Sequence, residues 1–192
     1  MSHSERGMLY TYSGKIAYPD GAPSLLDIAV SLAREGRYAG AGMRFWTVAL
    51  HTFVVCDLLP EHLKLDGLLH DSTECITGDT PKPAKTDAIE AFEDEMLLVI
   101  YKSLGVKPPN ETEWGVVKVS DKAVLCGEVY TVGTQALQEF YQRFPEIEEM
   151  ILGYVDKYDY HDMLDGPDAR VPMEFMRRFR EYKNYLPQQR LL

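Results

Sequence analysis

The sequence predicts an all-α fold, a single domain of about seven helices over residues 1–192. Three observations predict it. Apolar residues recur at helical spacing in one segment after another. Capping residues open those segments, and Gly or Pro closes them. No stretch alternates apolar and polar residues with the period of two that a half-buried strand requires.

Residues 1–23 read as an irregular arm with Tyr10, Tyr12 and Tyr18 along it and a turn at Pro19-Asp20-Gly21. The first helix begins at Ser24, where Ser24 and Asp27 make a capping-box-like start. It continues through Leu25, Ile28, Ala29 and Leu32 and stops near Glu35-Gly36. A small-residue loop follows, Arg37-Tyr38-Ala39-Gly40-Ala41-Gly42. The second helix, about Met43 to Leu59, is apolar on nearly every side, with Phe45, Trp46, Val48, Leu50, Phe53, Val54 and Val55. Such a helix is central and buried, and Pro60 ends it. The third starts near Glu61 and leads through Leu63, Leu65, Leu68 and Leu69 into His70-Asp71.

After a loop with Pro81 and Pro83, a fourth helix covers Asp87 to Leu104. Ile89, Phe92, Met96 and Val99 face inward and Gly105 closes it. A long helix or kinked pair covers about Glu111 to Tyr141, with Asp121 in its first third and Gly127 and Gly133 marking close packing or a bend. Helices over about Glu146–Tyr158 and Pro172–Tyr185 complete the chain, joined by an irregular link containing Asp165-Gly166-Pro167.

Composition narrows the function. Apolar residues make up 45% and charged residues 26%, as in ordinary soluble globular proteins. A net charge of −10 argues against non-specific binding of nucleic acid, which rests on Lys and Arg neutralising phosphates. Cys56, Cys75 and Cys126 are widely spaced and odd in number, which suggests neither a zinc finger nor a disulfide framework. With no signal-peptide core at the start and no apolar run of membrane-span length, a cytoplasmic protein without a membrane partner is expected.

One stretch, Leu68 to Lys85, concentrates the chemistry. It gathers His70, Asp71, Glu74, Asp79, Lys82 and Lys85. Glu74 follows His70 by four residues, which places both on one helical face. Such a gathering fits a divalent metal at one end and phosphate at the other. His51, in the middle of the apolar second helix, and Asp121, on a later helix, extend the set. His51, His70, Asp71 and Asp121 then offer two imidazoles and two carboxylates. This mixed nitrogen and oxygen set suits Mn²⁺, Co²⁺, Fe²⁺, Ni²⁺ or Zn²⁺, with Mg²⁺ also open. Such an ion activates water and polarises a phosphoryl oxygen.

The order His, then His-Asp, then Asp at 51, 70–71 and 121 resembles the HD-domain metal-dependent phosphohydrolases. Arg37-Tyr38, RFWTVALHT (44–52), GLLHDSTE (67–74) and GDTPKPAK (78–85) are similar to the branch that contains the bacterial 5′-deoxynucleotidases and phage deoxynucleoside triphosphohydrolases, including a dATP-specific group. The likeness covers about residues 8 to 140, and the chain departs from the pattern at Ser72, where the family has Ala. The resemblance implies that His51, His70, Asp71 and Asp121 ligate the metal and that Glu74 holds or deprotonates the attacking water. It implies that Asp79 protonates the leaving oxygen and that Arg37 contacts phosphate, with Lys82, Lys85 and Arg44 available for further phosphates. Tyr38 stands where the nucleotidases often have Trp. Either Tyr38 or Trp46 could border the base, although Trp46, on the apolar second helix, reads first as core. A deoxynucleotide substrate, mono- or triphosphate, and a homo-oligomer are implied by the resemblance alone.

The competing class is a non-catalytic nucleotide sensor on the same fold. It would require loss of a ligand or of Glu74, and all five residues are present. His3, His62 and His161 have no partners at ligand spacing. The cluster from Tyr158 to Asp162 suggests no mechanism.

Overall fold

A computed structural model describes residues 8–17, 21–158 and 169–192. Among them the chain forms α1 (Leu25–Leu32), α2 (Val48–Leu58), α3 (Lys64–Leu69), α4 (Glu74–Thr77), α5 (Asp87–Ser103), α6 (Glu111–Thr131), α7 (Pro145–Tyr158) and α8 (Arg170–Lys183). The all-α bundle expected from the sequence is the observed fold, with eight helices rather than about seven because α3 and α4 are separate.

Helix α2 is buried from Val48 to Cys56 and packs against α1, α3, α6, α7 and α8. Its all-round apolarity leaves no face for water. Trp46, Leu50 and Phe53 belong to a continuous core that also includes Leu68, Ile100, Val124, Ile151 and Phe175. The caps form as the sequence implies. Ser24 accepts the Asp27 backbone N–H while Asp27 accepts that of Ser24, a complete capping box for α1. Gly105 takes φ +67° just beyond α5, a left-handed turn that side chains resist. Gly127 marks close packing: a Cβ there would stand 2.7 Å from Cγ2 of Ile147 on α7.

Several boundaries differ from expectation. The arm holds an antiparallel hairpin, β1 (Met8–Thr11) with β2 (Gly14–Ala17), in register Leu9↔Ile16. The strands are only four residues each, too short to announce a period of two. A tertiary clip supports the turn, because the Ser13 N–H and O–H both donate to Asp27, at 2.6 and 2.8 Å. Helix α2 starts at Val48, not Met43. The backbone before it is engaged elsewhere: Met43 N–H donates to Gly133, and Arg37 N–H to the Trp46 carbonyl. Thr47 then caps the helix. The long segment leaves α-helix after Thr131 and continues as a 3-10 turn over Gln135–Phe140. The expected turn residues Tyr18, Pro19 and Asp20 and the link at 165–167 lie outside the described residues.

Candidate metal centre

Three elements meet at one point. Helix α2 brings His51, the turn after α3 brings His70 and Asp71, and α6 brings Asp121. The Nε2 atoms of His51 and His70 face each other at 3.3 Å. Asp121 Oδ1 lies 3.0 Å from the first and 3.8 Å from the second. Asp71 Oδ2 lies 3.7 and 3.2 Å from the same two nitrogens. The donor atoms of His51, His70 and Asp121 all fall within 4.8 Å of one another, close enough to hold one metal ion.

The outer nitrogens are already committed. His51 Nδ1 lies 2.7 Å from Glu128 Oε1, and His70 Nδ1 lies 2.7 Å from the Gly67 carbonyl. Each acceptor requires a hydrogen on Nδ1, so in the neutral form of both rings the Nε2 lone pairs are aimed at the same place. With two carboxylates beside them, the residues present fit a borderline divalent ion. Electrostatics agree. Burial disfavours protonation of His70, yet the Asp71 charge and hydrogen bonds to Asp121 and Asp71 raise its proton affinity well above the ordinary value. Burial likewise opposes ionisation of Asp71, and the charge of His70 overrides it, holding the carboxyl at about 2. The site favours positive charge.

The His-Asp doublet is not on a continuous helix. The chain from His70 to Thr73 makes i→i+3 bonds, Ser72 N–H to Leu69 and Glu74 N–H to Asp71. The tighter turn aims adjacent side chains inward together, and Glu74 opens a new one-turn helix rather than lying one α-helical turn after His70. Glu74 is buried, and its Oε2 has no hydrogen-bond partner; the only other such atom among the described residues is Ser72 Oγ, on the same turn. Burial, with Asp71 and Asp79 beside it, pushes the Glu74 carboxyl up to about 10. Asp79 lies in the following loop, where its Oδ2 accepts the Tyr38 N–H at 3.3 Å and its own N–H donates to Glu35 at 3.1 Å.

The residues expected to touch substrate behave differently. Trp46 is 1% exposed, so no base can stack on it, and its indole N–H donates to Glu128 at 2.6 Å. The base-bordering alternative for Trp46 is therefore corrected to a core role. Tyr38 donates its hydroxyl to Glu128 at 3.1 Å and has φ +60°, a strained left-handed backbone that Ala39 shares. Arg37 donates through Nε to Glu128 at 3.1 Å and lies 3.7 Å from Asp71 through a terminal nitrogen. Lys85 is paired with Glu93 at 2.5 Å, close enough to Glu74 and Asp71 to feel their charge. Lys82, Arg44 and His62 are exposed. His3, His161 and the cluster beyond Tyr158 lie outside the described residues.

Glu128 is the residue that sequence reasoning missed. Burial opposes its ionisation, but Arg37 and His51 hold it at about 2. One signal was present: it follows Asp121 by seven residues, two helical turns along the same face of α6. Elsewhere among the described residues, no helix is long and apolar enough to cross a membrane.

No family model matches the sequence. The chain is 33% identical over 129 residues to the Uncharacterized protein YfdR of Escherichia coli (strain K12), an alignment that covers 64% of this chain and 71% of that protein. The chain belongs to the YfdR family.

Proposed function

We propose that the protein is a metal-dependent phosphohydrolase that cleaves phosphate esters of deoxynucleotides. The observation that carries this reading is the pair of imidazole Nε2 atoms, flanked by Asp71 and Asp121, with both Nδ1 atoms already engaged. The motif order shared with HD-domain phosphohydrolases supports it. His51, His70, Asp71 and Asp121 would hold a divalent ion, and the ion when bound would supply a Lewis acid for a phosphoryl oxygen and for water.

The chain's own residues supply the rest. Glu74 accepts the proton of the attacking water, a role supported by its buried, unpartnered Oε2 on the turn that carries His70 and Asp71. Asp79 gives a proton to the leaving oxygen, as the motif resemblance implies, and two backbone hydrogen bonds fix its loop. Arg37, held between Glu128 and Asp71, contributes positive charge at the edge of the site rather than a free fork for phosphate. Lys85 reaches phosphate by exchanging its Glu93 partner for it.

A substrate panel tests the reading: the four deoxynucleoside mono- and triphosphates and their ribo counterparts, each with Mn²⁺, Co²⁺ or Zn²⁺, products separated by chromatography. Release of deoxynucleoside with phosphate or triphosphate is expected. No turnover of any of these with any of the three metals would overturn it in favour of a nucleotide sensor.

A further inference from the structure

Glu128 is wholly buried, and four donors converge on its carboxylate. Oε1 accepts Trp46 Nε1–H at 2.6 Å and His51 Nδ1 at 2.7 Å. Oε2 accepts Arg37 Nε–H and the Tyr38 hydroxyl, each at 3.1 Å. Four bonds fill the accepting capacity of a carboxylate. An indole N–H and a guanidinium can only donate, so Glu128 can only accept, and the nitrogen of His51 that faces it must carry hydrogen.

We infer that Glu128 is a positioning residue for metal binding, one that fixes His51 with its Nε2 lone pair toward His70 and ties that ring to the loop at 37–38. The inference rests on the metal-centre reading above. Its two oxygens divide the work. Oε1 sets the orientation of His51. Oε2 holds Arg37 and Tyr38, and the Tyr38 N–H in turn donates to the carboxylate of Asp79. The strained backbone of Tyr38 and Ala39 needs such an anchor, because isolated left-handed residues persist only where their surroundings over-determine them.

Glu128→Gln tests this with Mn²⁺ as the probe. The isosteric amide keeps one accepting oxygen but turns an NH₂ group toward donors. Paramagnetic resonance titration is expected to show Mn²⁺ affinity about 10–100-fold weaker than wild type, the range for losing a partner that orients a ligand histidine. The visible absorption of bound Co²⁺ is expected to shift, and Glu128→Asp to recover part of the affinity. A folded Glu128→Gln protein with wild-type Mn²⁺ affinity and an unchanged Co²⁺ spectrum would overturn the inference and leave the metal reading intact. Wild-type protein that binds no Mn²⁺, Co²⁺ or Zn²⁺ would overturn both. Should Glu128→Gln not fold, long-range ¹H–¹⁵N spectra of the Zn²⁺-loaded wild type decide. Hydrogen on Nδ1 of His51 supports the inference, and a metal-bound Nδ1 overturns it.

Discussion

Nε2 of His51 lies 3.3 Å from Nε2 of His70, so the two rings meet edge to edge at one point. Both are flanked by the same two carboxylates. Removing one ligand breaks the convergence. His70→Ala and Asp121→Ala are each expected to lose bound Mn²⁺ or Co²⁺ in equilibrium dialysis, together with hydrolysis. A variant that keeps turnover after its metal is gone would sink the ligand assignment.

On the proposed reading, Glu74 separates binding from chemistry. Glu74→Gln is expected to retain the metal while kcat falls by about 10²–10⁴, the usual contribution of a general base. The isosteric amide cannot accept the proton, though it fills the same buried space. Undiminished kcat in this variant would remove Glu74 from the mechanism.

The C-terminal segment is latched to the helix that leads into the metal turn. Arg190 makes two hydrogen bonds to Asp66, at 2.7 and 2.6 Å, and Tyr101 donates a third at 2.8 Å. Asp66 is completely buried. Arg190→Ala leaves that charge without its cation and is expected to destabilise the fold by about 3–5 kcal/mol in urea unfolding. Replacing both partners with apolar residues of similar volume is expected to recover most of the loss. Equal midpoints for Arg190→Ala and wild type would show that the latch contributes nothing.

Asp27 governs part of the acid limb of stability. Burial opposes its ionisation, but hydrogen bonds from Ser24 and Ser13 lower its pKa from the ordinary 3.8 to about 2. The unfolded chain therefore binds this proton more tightly than the folded one. The stabilisation is full above the ordinary value and is lost as pH falls through about 2. Asp27→Asn is expected to lower the melting temperature at pH 7 and to flatten its decline between pH 4 and 2. Parallel pH profiles for the two proteins would remove Asp27 from that limb.

Much of the fold was legible because its signals are local. The Ser24 and Asp27 capping box, the all-round apolarity of Val48 to Cys56 and the closing turn at Gly105 are written within a few residues of where they act. The convergence of His51, His70, Asp71 and Asp121 was legible from residue chemistry, since two imidazoles and two carboxylates in an otherwise apolar setting call for a shared partner. The hairpin was not legible, because its turn is held by Asp27, fourteen residues away. Nor was the fate of Arg37, Tyr38 and Trp46, whose types suit phosphate and base as well as they suit a buried carboxylate. Local periodicity thus determined the helices, and residue chemistry with the motif resemblance nominated the candidate ligands. Only the packing of α2 against α6 decided that these three side chains and His51 share Glu128, which lies 77 to 91 positions further along. A buried charge must gather its donors from whatever elements surround it, and which elements those are is fixed by helix packing and by no spacing along the chain.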